Sequence, residues 1–189
     1  MTEIEKAIQH RRSIYPKNYT GEIIDDVIIE QLLESANWAP THKLTEPWRF
    51  TVFKGMGLEK LAHFQSTLYR EKAEGEGTFE QKKFDQLSTK PQMCSHVISI
   101  GMKRNPVVPE VEEISAVACA AQNIMICASA HGLGSYWGSG GITYYEEAKP
   151  FFDLGKEDKL LGFIFLGKYD GAWPKGHRKA ISDKVRWVK

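Results

Sequence analysis

Cysteine is scarce in this sequence, and the three residues that occur show no pairing pattern. They stand at positions 94, 119 and 127 of 189, and no two of them form a C-x-x-C pair. Six histidines also occur without metal-ligand spacing. This arrangement argues against a disulfide framework and against a zinc site. We therefore expect no metal, and we expect Cys119 and Cys127 to pack as small apolar side chains.

An excess of charge of either sign is also missing. The 25 Lys and Arg residues are balanced by 24 Asp and Glu residues, for a formal net charge of +1. A nearly neutral chain has no bulk attraction for nucleic acid or for an anionic membrane surface. We expect neither as a partner, although Arg11, Arg12 and the basic segment Lys175–Lys179 leave a nucleic-acid binder as a rival hypothesis.

Several sequence patterns of common protein classes are absent. No run reaches the roughly 20 apolar residues that cross a bilayer, and the amphipathic start MTEIEKAIQHRR is unlike a secretory signal. No G-x-G-x-x-G, P-loop or G-x-S-x-G occurs, which argues against a Rossmann nucleotide site, a P-loop NTPase and an α/β-hydrolase. No repeat or linker is evident, so we expect one domain over residues 1–189. Because no secretory signal is recognised, we expect a cytoplasmic location.

The most distinctive stretch that is present is Glu112–Ala130, in which apolar or small residues occupy nearly every position. A helix of this composition lacks a wide polar face and is normally buried on most sides. Its alanines, at positions 116, 118, 120 and 121, would let another backbone approach closely. We predict that it is the central helix of the fold and a dimer seam.

Periodicity, caps and breakers predict the other elements. The predicted helices are Thr2–Arg11, Asp25–Trp38, Leu58–Tyr69 and Tyr144–Leu154. The predicted strands are Phe50–Lys54, Met93–Lys103, Ser135–Trp137 and Leu160–Gly167. Within them, Gly162 indicates a bulge and Pro150 a break or kink. The charged segment Arg70–Phe84 reads as a solvated excursion.

Three segments outside these elements have both a simple structural interpretation and a functional one. Arg11-Arg12-Ser13 is either a solvated basic helix end or an anion clamp of two guanidiniums and a hydroxyl. The loop that begins Thr41-His42-Lys43 is either solvated or a ligand platform. Gly138-Ser139-Gly140-Gly141 is either a tight turn or a place where backbone approaches a flat ring.

Taken in order, these segments resemble a known family. Arg11-Arg12-Ser13, Ala39-Pro40-Thr41-His42-Lys43 and Glu46-Pro47-Trp48-Arg49-Phe50 are similar to the flavin-binding segments of nitroreductases, and the likeness continues through Gly134–Gly141 and the last strand. The nearest likeness is to a small branch of about 190 residues with an Ala-Pro-x-His-Lys loop. The resemblance implies an α+β fold with a central mixed, largely antiparallel sheet flanked by helices, and a homodimer.

The same resemblance implies a flavin mononucleotide (FMN) site. Arg11, Arg12, Ser13 and Arg178 would bind its phosphate, with His177 and Lys179 as alternatives to Arg178. Trp137, Gly138 and Ser139 would lie beside the ring, where backbone N–H donors stabilise the reduced flavin. Pro40, Thr41 and His42 match positions that the family contributes from the second subunit. Trp38 would also reach the cofactor.

The implied activity is an oxidoreductase that needs no catalytic side chain. NADH or NADPH would reduce the flavin and leave, and a nitroaromatic, quinone or related acceptor would then take the electrons. A flavin-binding sensor or store without turnover is the alternative. The resemblance also implies that Arg70–Phe84 corresponds to a region that in this family often forms a helical insertion bordering the active site. The sequence departs from the family at Tyr15, where Lys or Arg is usual, and at Glu46, where an amide is usual.

Overall fold

The computed structural model describes residues Met1–Lys189 as one antiparallel sheet covered by helices on both faces. The five α-helices are α1 (Glu3–His10), α2 (Asp26–Asn37), α3 (Met56–Gly75), α4 (Gln81–Thr89) and α5 (Glu110–Ala130). The four strands are β1 (Trp48–Lys54), β2 (His96–Met102), β3 (Leu133–Gly138) and β4 (Lys159–Lys168). Five short 3-10 helices occupy Pro16–Asn18, His42–Leu44, Lys90–Met93, Glu146–Phe152 and Ile181–Lys184.

The strands lie in the order β1-β2-β4-β3, and all three neighbouring pairs are antiparallel. The expected α+β class is correct, but the expected mixed sheet is not, since the one parallel contact is an isolated bridge between Ser13 and Ser135. The central strand β2 is buried along its whole length because it has a neighbour on each side and helices on both faces.

Side chains that alternate along each strand supply two hydrophobic cores, one on each face of the sheet. On one face, Ile98 and Ile164 pack with α2 and α5. On the other face, Val97 and Phe163 pack with α3, α4 and the Glu146–Phe152 turn. The sheet is therefore the middle of three layers. Side chains on opposite faces of β3 pack into different cores.

Helix α5 is the central helix that the sequence predicts, and it packs against α2, β1, β2 and β3. It is long and apolar enough to cross a bilayer by composition alone, yet half of its most apolar window is buried inside the protein. One side stays exposed, including Val111 at 67% and Ser115. Cys119 lies on this exposed side, so the expectation that it is a buried packing residue is wrong for the single chain.

Local signals account for the helix ends. Thr2 and Glu5 form the capping box at the start of α1, and the Asp25 carboxylate accepts from Val27 N at 3.0 Å to cap α2. Gly132, with φ of +71°, follows the end of α5, where a left-handed residue is favourable only without a side chain. For α1, α2 and α5, the predicted boundaries lie within about two residues of the observed ones.

Three elements differ from their prediction. Tyr144–Leu154 is not an α-helix but contains the 3-10 helix Glu146–Phe152, because Pro150 has no N–H and disfavours α-helical bonding. Arg70–Phe84 is mostly helical, as the resemblance implies, and not the solvated excursion that its charge predicts, since α3 runs on to Gly75 and α4 begins at Gln81. The strand predicted from Met93 starts at His96, because the 3-10 turn around Pro91 precedes it.

The bulge predicted at Gly162 is present. The pairing of β2 with β4 shifts between Ile100 and Gly101, so that Leu161 has no partner on β2. Gly162 has φ of +122°, and a Cβ there would lie 2.4 Å from the carbonyl oxygen of Gly138. Only glycine fits this position, which lets the end of β3 approach β4 closely.

Candidate functional site

The two ends of the chain meet beside the carboxyl end of α1. The Trp173 indole stacks on His10 at 4.8 Å, and its Nε1 donates to the His10 carbonyl at 2.7 Å. The Arg12 Nε donates to the Pro174 carbonyl at 2.9 Å. These contacts bring the segment that carries Arg178 back onto the segment that carries Arg11.

Three arginines gather where the chain ends meet. Arg11, Arg12 and Arg178 line one cleft with a volume of about 490 Å³, together with Ile8, Gln9, Gln122 and Gly176. Burial, and then the charges of Arg178 and Arg12, lower the pKa of Arg11. None of the three arginines forms an ion pair with a carboxylate. An uncompensated cluster of guanidiniums is a site for a multiply charged anion such as a phosphate.

The three arginines are not equivalent. Arg12 donates through Nη1 to the carbonyls of Gln9 at 2.6 Å and Arg11 at 2.8 Å, in addition to its bond to Pro174. Its guanidinium is therefore largely committed to backbone carbonyls and fastens the C-terminal segment. Arg11 and Arg178 are the cations of this cleft with more freedom to bind a ligand. His177 and Lys179 do not line the cleft.

A second cleft adjoins the first and shares Arg11 with it. Its volume is about 450 Å³, and it contains Ser13, Trp137 and Ser139. Ser13 is held beside β3 because Ile14 N donates to the Ser135 carbonyl at 2.9 Å. Arg11, Ser13, Trp137 and Ser139, which are far apart in sequence, therefore share one surface. We call this the tryptophan cleft.

The wall of the tryptophan cleft is fixed by the bulge in β4. Trp137 Nε1 donates to the Leu161 carbonyl at 3.1 Å, which locks the indole plane. Ser139 lines the same cleft and is exposed, whereas Gly138 and Gly140 do not line it. The exposed backbone at Ser139, which is flanked by two glycines, suits a flat ring that approaches a peptide edge.

The donor set fits the three parts of FMN. Arg11 and Arg178 are suited to the phosphate, Ser13 to the polar ribityl chain, and the Trp137–Ser139 edge to the flat ring. The Ser135 hydroxyl beside this edge is buried and has no hydrogen-bond partner. The residues present therefore match the group that the sequence resemblance implies.

The loop expected to reach the cofactor from a second subunit lies elsewhere in the single chain. Trp38 is 80% exposed and donates through Nε1 to Glu34 at 2.9 Å. Thr41 and His42 line neither cleft, and the His42 imidazole contacts Glu112 in the first turn of α5. Pro40 is exposed beside them. The structure thus brings together the Arg11, Ser13, Trp137 and Arg178 group but leaves the Trp38–His42 group apart.

This loop also stores backbone strain. Lys43, Leu44 and Glu46 all have positive φ values, between 43° and 52°, and none is glycine. Such conformations cost on the order of 1 kcal/mol or more each, and they are enriched at functional sites. The Thr41 hydroxyl accepts from Glu46 N at 3.1 Å, which holds the turn closed.

Several residues of the tryptophan cleft are absent from the sequence prediction: Ile114, Ala118, Met125, Tyr144 and Leu161. Four of them read as ordinary core positions, because apolar periodicity does not distinguish a buried wall from a cleft wall. Tyr144 is highly exposed and precedes the 3-10 turn. In the sequence, only its position shortly after the glycine run Gly138–Gly141 could have indicated that it belongs to the site.

Comparison with known proteins gives a consistent assignment. The Nitroreductase family matches residues 8–168 of this chain. An Escherichia coli (strain K12) protein named as an NAD(P)H nitroreductase, YdjA, is 29% identical over 141 residues, which is 74% of each chain. A Bacillus subtilis (strain 168) protein also named as an NAD(P)H nitroreductase, YfhC, is 27% identical over 178 residues, covering 94% of this chain and 90% of the relative.

Solved structures share the fold over essentially the whole chain. A nitroreductase-like protein from Bacillus cereus has a TM-score of 0.83 at 26% identity, covering 100% of this chain and 97% of that one. A Desulfovibrio desulfuricans protein in complex with FMN has a TM-score of 0.76 at 21% identity, with coverage of 100% and 98%. The Mycobacterium smegmatis nitroreductase NfnB, in complex with NADPH, has a TM-score of 0.73 at 19% identity, with coverage of 98% and 97%. The chain is a member of the nitroreductase family.

Proposed function

We propose that this protein is an FMN-dependent oxidoreductase that accepts electrons from NADH or NADPH and passes them to nitroaromatics, quinones or related acceptors. The observation that carries the proposal is the continuous surface from the unpaired Arg11 and Arg178 through Ser13 to Trp137. The names of the two relatives as NAD(P)H nitroreductases support the electron donor. The FMN and NADPH complexes of proteins with the same fold agree with it.

Each part of the surface has a distinct task in this proposal. Arg11 and Arg178 neutralise the phosphate and anchor the cofactor, while Arg12 holds the C-terminal segment that presents Arg178. Ser13 hydrogen-bonds the ribityl chain. Backbone N–H groups at Gly138 and Ser139 would donate to the ring edge, where negative charge grows on reduction.

When bound, FMN would supply the redox chemistry of a ping-pong hydride transfer from the nicotinamide to the acceptor. The protein's part is to hold the ring rigidly and leave one face open. Arg11 and Tyr144 are the only ionisable side chains that line the tryptophan cleft. Neither is required as a general acid, so we assign no catalytic side chain.

We further propose that the protein is a homodimer with FMN at the subunit interface. The exposed side of α5 carries Val111, Ser115 and Cys119, a small and mainly apolar surface that a second copy would cover. In that arrangement Pro40, Thr41 and His42, with Trp38, would approach the FMN of the opposite subunit. This matches the small Ala-Pro-x-His-Lys branch, to which we assign the chain.

The remaining expectations are proposals of the same kind. We infer that residues 1–189 form one domain, since both hydrophobic cores are built on a single sheet. We also propose a cytoplasmic location, with no nucleic-acid or membrane partner. The near-zero net charge supports the absence of a nucleic-acid or membrane partner.

Anaerobic titration of the purified protein tests the function directly. We expect a yellow protein that releases FMN on denaturation, loses its flavin absorbance with NADH or NADPH, and regains it with a nitroaromatic or quinone. A colourless protein that cannot be reconstituted with FMN would refute the flavin assignment. Retained FMN with no bleaching by either nucleotide would instead favour the sensor or store.

A further inference from the structure

A polar cavity on the other face of β3 is not explained by the proposed cofactor site. It lies between β3 and the α3–α4 pair, has a volume of about 240 Å³, and we call it the lysine cavity. The residues that line it include Gln65, Lys83, Lys90, Tyr136, Gly138 and Gly140. The volume is several times the roughly 30 Å³ that one water occupies in the liquid, which leaves room for a small organic ligand.

The charge in the lysine cavity has one sign. Lys83 and Lys90 line it, no acidic residue does, and neither lysine forms an ion pair anywhere in the protein. A neighbouring groove of about 400 Å³ shares Lys90, adds Lys17, and also contains no acid. Lys90 is half-buried, and its burial lowers its pKa because the ammonium has lost water without gaining an anion.

An unpartnered amide points to the same ligand chemistry. Gln65 is only 3% exposed, and its Nε2 is buried without a hydrogen-bond partner. It occupies the apolar stripe of α3, between the buried Leu61 and Leu68, where a polar side chain is costly unless it has a partner. A buried amide donor and an unpaired ammonium in one cavity are complementary to a carboxylate.

The location connects this cavity with electron transfer. Gly138 and Gly140 line the lysine cavity, whereas Trp137 and Ser139 line the tryptophan cleft. The same short turn therefore borders both sites. A ligand anchored in the lysine cavity would have its other end at the turn where the flavin ring is proposed to lie.

We propose that the lysine cavity binds the carboxylate of an organic acid, through Lys90 and Gln65, and so selects negatively charged electron acceptors. This inference rests on the proposed oxidoreductase function for the role of the ligand, but the binding itself does not need turnover. Lys83, whose ammonium lies 4.7 Å from the centre of the Tyr69 ring, adds to the positive potential. The acceptor class follows from charge: an aromatic acid is preferred over its neutral analogue.

Binding is tested by calorimetric titration of the protein as isolated with benzoate and, as the neutral analogue of similar size, benzamide. We expect benzoate to bind at least about 10-fold more tightly, as a charge-assisted contact of about 1.5 kcal/mol or more requires. Equal affinities, or no benzoate binding, would overturn the proposal. Benzoate binding can be measured even if neither nucleotide reduces the protein. The outcome of this titration is therefore independent of the outcome for the proposed function.

Variants locate the site. Lys90→Met should weaken benzoate binding about 10- to 100-fold, Lys90→Arg should retain it within a few-fold, and Gln65→Met should weaken it several-fold. Lys82→Met, on the exposed side of α4 and outside the cavity, should change nothing. Unchanged benzoate affinity in Lys90→Met would refute the assignment.

Acceptor kinetics test the link to function. With 4-nitrobenzoate and nitrobenzene as acceptors, Lys90→Met should raise KM for the acid about 10-fold or more, and leave KM for nitrobenzene and the flavin midpoint potential unchanged. Equal effects on both acceptors, or a shifted potential with benzoate affinity intact, would show that Lys90 acts on the flavin instead and would overturn the proposal.

Discussion

Arg11 and Arg178 come from opposite ends of the chain and line one cleft, where their like charges repel. The contacts of Trp173 with His10 and of Arg12 with Pro174 hold them there without any carboxylate between them. Such an arrangement is unfavourable for the empty protein and favourable only when an anion is bound. The site is thus preorganised for a ligand at some cost to the stability of the ligand-free chain.

Replacing either arginine should therefore weaken FMN binding. We expect Arg11→Gln and Arg178→Gln each to lower affinity by about 1.5–3 kcal/mol, because each removes a charge-assisted contact to phosphate. Fluorescence titration of flavin-stripped protein with FMN measures this. Arg70→Gln, whose guanidinium lies over the Phe84 ring outside both clefts, serves as the control. Unchanged affinity in both cleft variants would mean that the phosphate binds elsewhere.

The stability of the flavin-free protein should separate Arg11 from Arg12. Arg11→Gln removes repulsion, so its thermal midpoint should not fall. Arg12→Gln loses bonds to three backbone carbonyls and should be destabilised by about 1–3 kcal/mol. Thermal unfolding of the stripped proteins measures both. Equal destabilisation by the two changes would contradict the distinct roles described above.

Stability should decrease on mild acidification because of His96. This side chain is 1% exposed, contacts the Ser95 hydroxyl at 2.9 Å through Nδ1, and contacts Asp26 at 3.2 Å through Nε2. Burial lowers its pKa below the ordinary 6.5, outweighing the opposite effect of Asp26. The unfolded chain therefore takes up a proton first. Stability is fully present above 6.5 and is lost as the pH falls through the lowered folded-state pKa.

Urea unfolding between about pH 8 and about pH 5.5 tests this dependence. His96→Gln should flatten the curve in that range while lowering stability at the upper end. Asp26 does not confuse the result, since hydrogen bonds from Lys54 and then His96 lower its pKa from 3.8 and move its contribution to more acidic pH. A slope as steep in His96→Gln as in the parent protein would exclude His96 as the cause.

Gly162→Ala should be among the most damaging small substitutions. The left-handed φ of +122° and the 2.4 Å approach of a Cβ to the Gly138 carbonyl allow no side chain. We expect a loss of about 2 kcal/mol or more, with weaker FMN binding because the backbone at Gly138 and Trp137 must move. Gly75→Ala, at the end of α3 with open space around it, is the matched control and should be neutral or slightly stabilising.

A bulky charge on the exposed side of α5 should disrupt the proposed dimer. Cys119→Arg leaves the fold of the single chain intact because position 119 is exposed there. We expect it to convert the dimer to a monomer in light-scattering measurements and to reduce FMN retention. Thr67→Arg, exposed on α3, should do neither. A dimeric, yellow Cys119→Arg protein would place the interface on another surface.

Much of this molecule follows from short-range chemistry in the sequence. Helix ends at Thr2, Asp25 and Gly132 and the bulge at Gly162 depend on a few neighbouring residues, so propensity and capping rules reach them. The order and spacing of the sequence motifs also predicted that Arg11, Ser13 and Trp137 lie near one another, and these three residues line one cleft. The sequence-based prediction failed at Tyr144–Leu154, where apolar periodicity outweighed the effect of one proline.

Only the tertiary structure decided which cations share a cleft and which polar groups are left without partners. Arg12 reads from sequence as an equal of Arg11, yet chain folding commits it to three carbonyls. Gln65 and Lys90 look like unremarkable helix and turn residues, and their cavity exists only because α3 and α4 pack over β3. Local sequence sets the conformation of each segment, whereas long-range packing sets desolvation and charge proximity, and these determine what a site can bind.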